Sequence, residues 1–178
     1  MLPANAPRRI LISNFDHPLT QGLDAATVIG GPLPYGPVIM PTDGIELGLA
    51  WAKGGNNHIG MAFKEFGKGA AGAYKGNEPL GEGDYAAIFT TAVPLPANLW
   101  RNLARYAGAH VYCETNDILL ADNCVVALHS LQSGAKRIAL PGKFNIRDLI
   151  TGEMYSRGTG EITFDLKAPE TRVFLLEK

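Results

Sequence analysis

Asp43, Glu46, Glu65, Glu114, Asp117 and Asp122 are the carboxylates of this chain whose placement beside predicted strands and turns suits acid–base chemistry. Glycoside hydrolysis needs two such groups roughly 5 to 9.5 Å apart, held on rigid elements. Asp43 precedes Gly44 in a turn pair, and Asp117 and Asp122 bracket a short strand, where an aspartate commonly holds a turn through its own backbone. Glu46 points with Gly48 and Ala50 away from the apolar face of its strand. Glu65 follows Ile59, Met61 and Phe63 at a period of two, so it points to the packed side. It also sits at the strand end, where a solvated edge residue is the competing account. Glu114 ends a predicted strand that follows a helix, a position where open α/β sheets present ligand-binding groups. Glu65 and Glu114 are therefore the catalytic candidates. Trp51, Tyr74 and Tyr112 are the candidates for sugar contact, because aromatic rings match the apolar C–H faces of a sugar, whereas Trp100 on its helix reads as core.

Other chemistries find no support. His17, His58, His110 and His129 show no ligand spacing with one another or with Cys113 and Cys124, so no metal and no cofactor is expected. His110 and His129 fall in predicted strands as core or half-buried residues. The two cysteines flank a turn; a disulfide is open to them, but two reduced, packed thiols are the favoured reading. No serine sits in a nucleophile elbow. The glycine-rich stretch from Gly67 to Gly83 lacks the Gly-Lys-Ser/Thr ending of a phosphate cradle and leads to a strand, so it reads as a loop.

The elements that must position these groups are mostly strands. The chain has 178 residues with 21 glycines and 12 prolines, which punctuate short apolar runs in the manner of strands joined by turns. Arg9 to Ser13, Val38 to Met40, Ile45 to Lys53, His58 to Phe66 and Tyr85 to Thr91 read as strands, the third and fourth as a hairpin with one packed side formed by Ile45, Leu47, Leu49 and Trp51. Pro94 and Pro96 lead into a helix over Ala97 to Ala107, with Leu99, Leu103 and Tyr106 as its apolar stripe, joined by Trp100 and Ala107, and Gly108 as its stop. Ala109 to Cys113 completes a β-α-β unit if it pairs in parallel with the preceding strand. Beyond it lie only short strands, at 118–121, 124–131, 136–140, 145–149, 161–166 and 171–176, spaced as in an antiparallel sandwich. The expected class is strand-rich α+β. Residues 1–115 form an α/β portion and 116–178 a small antiparallel β-domain.

The block Pro94-Leu-Pro-Ala-Asn-Leu-Trp-Arg-Asn-Leu-Ala-Arg-Tyr-Ala-Gly-Ala-His-Val-Tyr112, with Val125 to His129 and Arg137 to Pro141, resembles the junction between the amidotransferase-like, or trimerisation, domain and the C-terminal β-domain of family 42 β-galactosidases. Ile146 to Glu153 and Thr171 to Leu176 are similar to the closing β-domain of many glycoside hydrolases, and Asp16 to Leu23 resembles a stretch late in such amidotransferase-like domains. The resemblance implies a β-α-β remnant of that domain followed by a β-sandwich. It carries over no catalytic residue, because the barrel holding the acid and nucleophile, about 250 residues, would lie upstream. The expected role is a non-catalytic assembly or carbohydrate-contact module, a homo-oligomer or the associate of a catalytic barrel. The alternative is a small stand-alone β-galactosidase or β-glucosidase using Glu65 and Glu114.

Sixteen basic against seventeen acidic residues leave a net charge of −1 with no basic block, so nucleic acid is not an expected partner. The N-terminal residues lack a secretory h-region and no stretch reaches roughly 18 apolar residues. A cytoplasmic protein, or a fragment that has lost its leader, without a membrane partner is the expectation.

Overall fold

A computed structural model of the chain describes residues 9–32, 39–51, 57–67 and 85–178. They divide into two compact units, Met1–Gly108 and Ala109–Lys178, each with its own five-stranded antiparallel sheet. The chain is thus strand-rich, with one α-helix among the described residues.

In the first unit, β1 (Ile10–Ile12), β2 (Val28–Ile29), β3 (Ile45–Trp51), β4 (Asn57–Phe66) and β5 (Tyr85–Thr90) lie in the order β2-β1-β3-β4-β5. Helix α1 (Ala97–Tyr106) packs Leu99, Leu103 and Tyr106 into the core formed by Ile10, Ile12, Ile29, Leu47, Met61 and Phe63. Trp100 lies one residue, hence about 100°, off that stripe. It is 60% exposed, which corrects the expectation of a core role. Asn102 of α1 donates from Nδ2 to the carbonyls of Leu19 (3.0 Å) and Gln21 (2.8 Å), fastening the loop around the 3-10 turn Pro18–Thr20. Ile39 and Met40 belong to no strand, against the expected strand at 38–40.

The β3–β4 hairpin forms, but its alternation is interrupted. The register shifts between Glu46 and Gly48 and again between Gly48 and Leu49, and a bulge moves the following side chains to the other face. Ala50 therefore enters the core. Leu49 instead pairs with half-exposed Leu11. The single apolar face expected for Ile45, Leu47, Leu49 and Trp51 is thus broken between Leu47 and Leu49.

Glycine is obligatory at the bulge: a Cβ on Gly60 would lie 2.7 Å from the Ala50 amide nitrogen and 2.8 Å from Ile10 Cγ1. Gly60→Ala should cost the first unit about 2 kcal/mol through this overpacking. Thermal unfolding followed by tryptophan fluorescence checks it, and a loss below about 0.5 kcal/mol would contradict the packing.

No β-α-β unit forms. Residues 109–113 are not a strand and belong to the second unit, and among the described residues every strand pair of the first unit is antiparallel. Gly108, at φ +72°, turns the chain out of α1. Downstream, the Tyr112 carbonyl accepts from the Ala139 amide at 2.7 Å, a bond made inside the second unit.

That unit comprises β6 (Ile118–Ala121), β7 (Val125–Ser130), β8 (Gly134–Asp148), β9 (Met154–Leu166) and β10 (Glu170–Glu177), in the order β6-β7-β10-β8-β9. The two strands expected at 136–140 and 145–149 are one, β8, which passes through Pro141-Gly142. Proline and glycine there coincide with a register shift against β9 between Ala139 and Phe144, the irregularity that lets a strand carry proline. Only Asn145–Asp148 of β8 pairs with β10. Both halves of β8 still feed one core: Ile138, Leu140 and Ile146 join Val126 and Leu128 of β7, Ile162 and Leu166 of β9, and Phe174 and Leu176 of β10. The expected sandwich is a single sheet folded about one core. Asp148 fixes the β8–β9 turn by accepting from the amides of Ile150 (2.9 Å) and Thr151 (3.0 Å).

Candidate functional site

The two carboxylates singled out from the sequence belong to different units and to different environments. Glu65 lies on the packed side of β4, as its period predicts, yet it is 7% exposed and not a solvated edge residue. The Tyr106 hydroxyl donates to Glu65 Oε1. The Phe63 ring stands between Tyr106, edge-on at 5.2 Å, and His17, tilted at 4.8 Å. Burial lowers the His17 pKa, and the charge of Glu65 opposes that shift. His17 Nδ1 accepts from the Leu19 amide at 3.2 Å, which caps the 3-10 turn. These contacts make Glu65 an anchor between α1, β4 and the loop, the role expected of a buried carboxylate with a dedicated donor.

A hollow in the first unit, about 410 Å³, lies between residues 39–43 and strands β4 and β5. It is mostly apolar, with the Asp43–Lys64 ion pair at its rim. Asp43 is thus engaged by a lysine as well as sitting in a turn. Glu46 accepts from Ser13 Oγ at 2.7 Å.

Glu114 has a different setting. After α1 the chain runs as residues 111–115 beside the N-terminal half of β8, the half that β10 does not reach. Ala139 donates its amide to the Tyr112 carbonyl, and its own carbonyl lies 2.9 Å from His110 Nε2. Both main-chain groups of Ala139 therefore point away from β9. Strand alternation turns those of Arg137 and Ala135 the same way. Between this edge and residues 111–115 opens a cleft of about 450 Å³, lined by Tyr112, Glu114, Lys136, Arg137, Phe164 and Asp165, among others. The His110 ring meets Tyr112 edge-on at 4.6 Å. His110 is exposed and outside any strand, correcting its core assignment; His129 is half-buried in β7 with Nδ1 2.9 Å from Thr171 Oγ1.

The cleft stands on a buried ion pair. Lys136 Nζ reaches the two carboxylate oxygens of Asp117 at 3.0 and 3.2 Å, and both side chains are over nine-tenths buried. Burial pushes the Asp117 carboxyl up. Hydrogen bonds from Ser130, Thr115 and Lys136, with the Lys136 charge, outweigh it and hold the carboxyl below its ordinary value. Asp117 was expected to secure a turn through its own backbone, and instead it secures a strand to a neighbouring segment. Asp122 does hold its turn, accepting from the Asn123 amide at 2.7 Å.

Of the sugar-contact candidates, Tyr112 lines the cleft. Tyr74 and the Trp51 side chain lie outside the described residues. The sequence does not announce Lys136, Arg137, Thr163, Phe164 and Asp165 as neighbours of Tyr112, because residues 109–113 have the composition of a strand of another sheet. No disulfide joins the cysteines: both are free, Cys124 exposed and not packed, and Cys113 in the cleft wall with its thiol 3.3 Å from the Thr115 carbonyl. Among the described residues no group of three or more His, Cys, Asp or Glu could hold a metal ion, and no helix is long and apolar enough to cross a membrane.

No family model, curated protein or solved structure matches this chain.

Proposed function

We propose that the chain is a non-catalytic carbohydrate-contact module of a β-galactosidase-like glycoside hydrolase system, with the cleft of the second unit as its contact site. The observation that carries this reading is the cleft lining: Tyr112 and Phe164, whose rings also pack against the second core, join Lys136, Arg137, Glu114, Thr163 and Asp165, a mixture of aromatic and hydrogen-bonding groups of the kind a sugar ring requires. The likeness of Pro94–Tyr112 to the domain junction of family 42 enzymes supports the galactosidase context, and the amidotransferase-like ancestry of the first unit is part of the same proposal. Chemistry would come from a barrel with which this module associates. Engagement of Glu65 by Tyr106 favours the non-catalytic reading over a carboxylate pair with Glu114.

Calorimetric titration of the full chain with lactose tests the proposal. Binding in the millimolar to micromolar range is expected, with Tyr112→Ala weakening it about tenfold through loss of the stacking face. No heat with lactose or any galactoside at high concentration would reject it. Turnover of chromogenic galactosides or glucosides that Glu114→Ala abolishes would instead establish the enzymatic alternative.

An assembly role rests on a separate observation. β6 is an edge strand of its sheet and exposes Ile118 at 62% and Leu120 at 69%, and an apolar edge of this kind is suited to pairing with a second copy. Sedimentation of wild type beside Leu120→Lys decides it: a wild-type dimer that the lysine dissociates is expected, and a strict monomer removes the role.

A further inference from the structure

We infer that the cleft of the second unit selects uncharged saccharides and holds them through the Asp165 carboxylate, an inference that rests on the carbohydrate reading above. Of the two cations in the lining, Lys136 is committed to Asp117, and Arg137 is held by Glu161, with Nε at 2.8 Å and Nη2 at 2.7 Å from Oε2. Each cation is thus already met by a carboxylate, and the Nε–Nη2 edge of Arg137, one of the two edges by which a guanidinium grips such groups, is filled by Glu161. Asp165 is exposed and makes no hydrogen bond or ion pair among the described residues. The cleft's spare charge is therefore negative.

The register gives that charge its neighbours. Ala135 pairs with Asp165 and Arg137 with Thr163, so Thr163 and Asp165 share one face of β9, about 7 Å apart along the strand. The main-chain amides of Ala135 and Arg137 turn toward the cleft on the adjoining edge. A carboxylate accepts from two hydroxyls at once, while an amide N–H donates to a hydroxyl or ring oxygen. Neighbouring hydroxyls of a neutral sugar supply both kinds of partner. A uronate or sulfated sugar would place its anion against Asp165 where both lining cations already face a carboxylate of the protein, and a like charge of this kind selects against the ligand that carries it.

The test titrates the full chain with lactose and with digalacturonate, wild type beside Asp165→Asn, whose exposed site leaves folding intact by circular dichroism. Lactose is expected to bind wild type at least about tenfold more tightly than digalacturonate. Asp165→Asn should lose about tenfold toward lactose, the effect of a charged acceptor made neutral, and should narrow the gap between the two ligands. Digalacturonate binding as tightly as lactose, or lactose affinity unchanged in Asp165→Asn, would overturn the inference and leave the carbohydrate reading standing. Absence of binding by either sugar would reject both.

Discussion

Lys136→Met is expected to destabilise the second unit by about 3 kcal/mol, because it strands the Asp117 carboxylate in a site that keeps it over nine-tenths buried. The remaining donors, Thr115 Oγ1 at 2.6 Å and the Ser130 hydroxyl, satisfy lone pairs without supplying charge. Adding Asp117→Leu to the same chain should restore most of the loss, since removing both partners of a buried pair is often close to neutral. The pH dependence follows in sign. The folded Asp117 pKa is held below its ordinary value, so its contribution is fully present above the ordinary carboxylate pKa of about 4 and is lost as pH falls through the lowered folded value. The double variant should therefore show a shallower loss of stability in acid than wild type. Both tryptophans fall in the first unit, so the second must be followed by other means, such as hydrogen exchange at the Val126 and Leu128 amides. A Lys136→Met chain with unchanged protection would show that the pair contributes nothing.

Phe174→Ala should be at least as damaging, costing about 3 to 5 kcal/mol. Phe174 is 1% exposed at the centre of the second core. Its ring meets Tyr155 at 5.2 Å and Phe164 at 5.4 Å, so truncation removes buried area and two aromatic contacts together. Phe164 also lines the cleft, and its loosening should carry the loss into ligand affinity. Urea unfolding read at β7 and β10 amides measures the stability term. A loss below about 1 kcal/mol would mean that the two halves of β8 do not share one core.

Much of the strand content was legible because period-two alternation and turn residues are local signals. β1, β4, β5, β6, β7, β10 and α1 fall close to where the apolar runs and the proline and glycine stops put them. The failures share a cause in non-local pairing. Nothing in Leu47-Gly48 announces a bulge; it exists because Gly48 and Gly60 let β1, β3 and β4 approach closely, and it transferred Ala50 to the core. Pro141-Gly142 read as a turn between strands, whereas a register shift absorbs it within β8. Ala109–Cys113 has the composition of a strand, yet its partner is a single amide of β8 and not a ladder. That last misreading concealed the cleft. Tyr112 and Glu114 were legible as candidates, but Lys136, Arg137 and Asp165 become their neighbours only through the path of residues 111–115 along an edge that β10 leaves open.

Amide and tyrosine-ring NMR of the isotope-labelled full chain, titrated with lactose, bears most directly on the claim that this protein meets sugar through its second unit. The shifts should concentrate at residues 111–115, 135–139 and 163–165, saturate together and vanish in Tyr112→Ala while that variant's remaining spectrum stays folded. Shifts confined to the first unit, or a spectrum unmoved at high lactose concentration, would contradict the account.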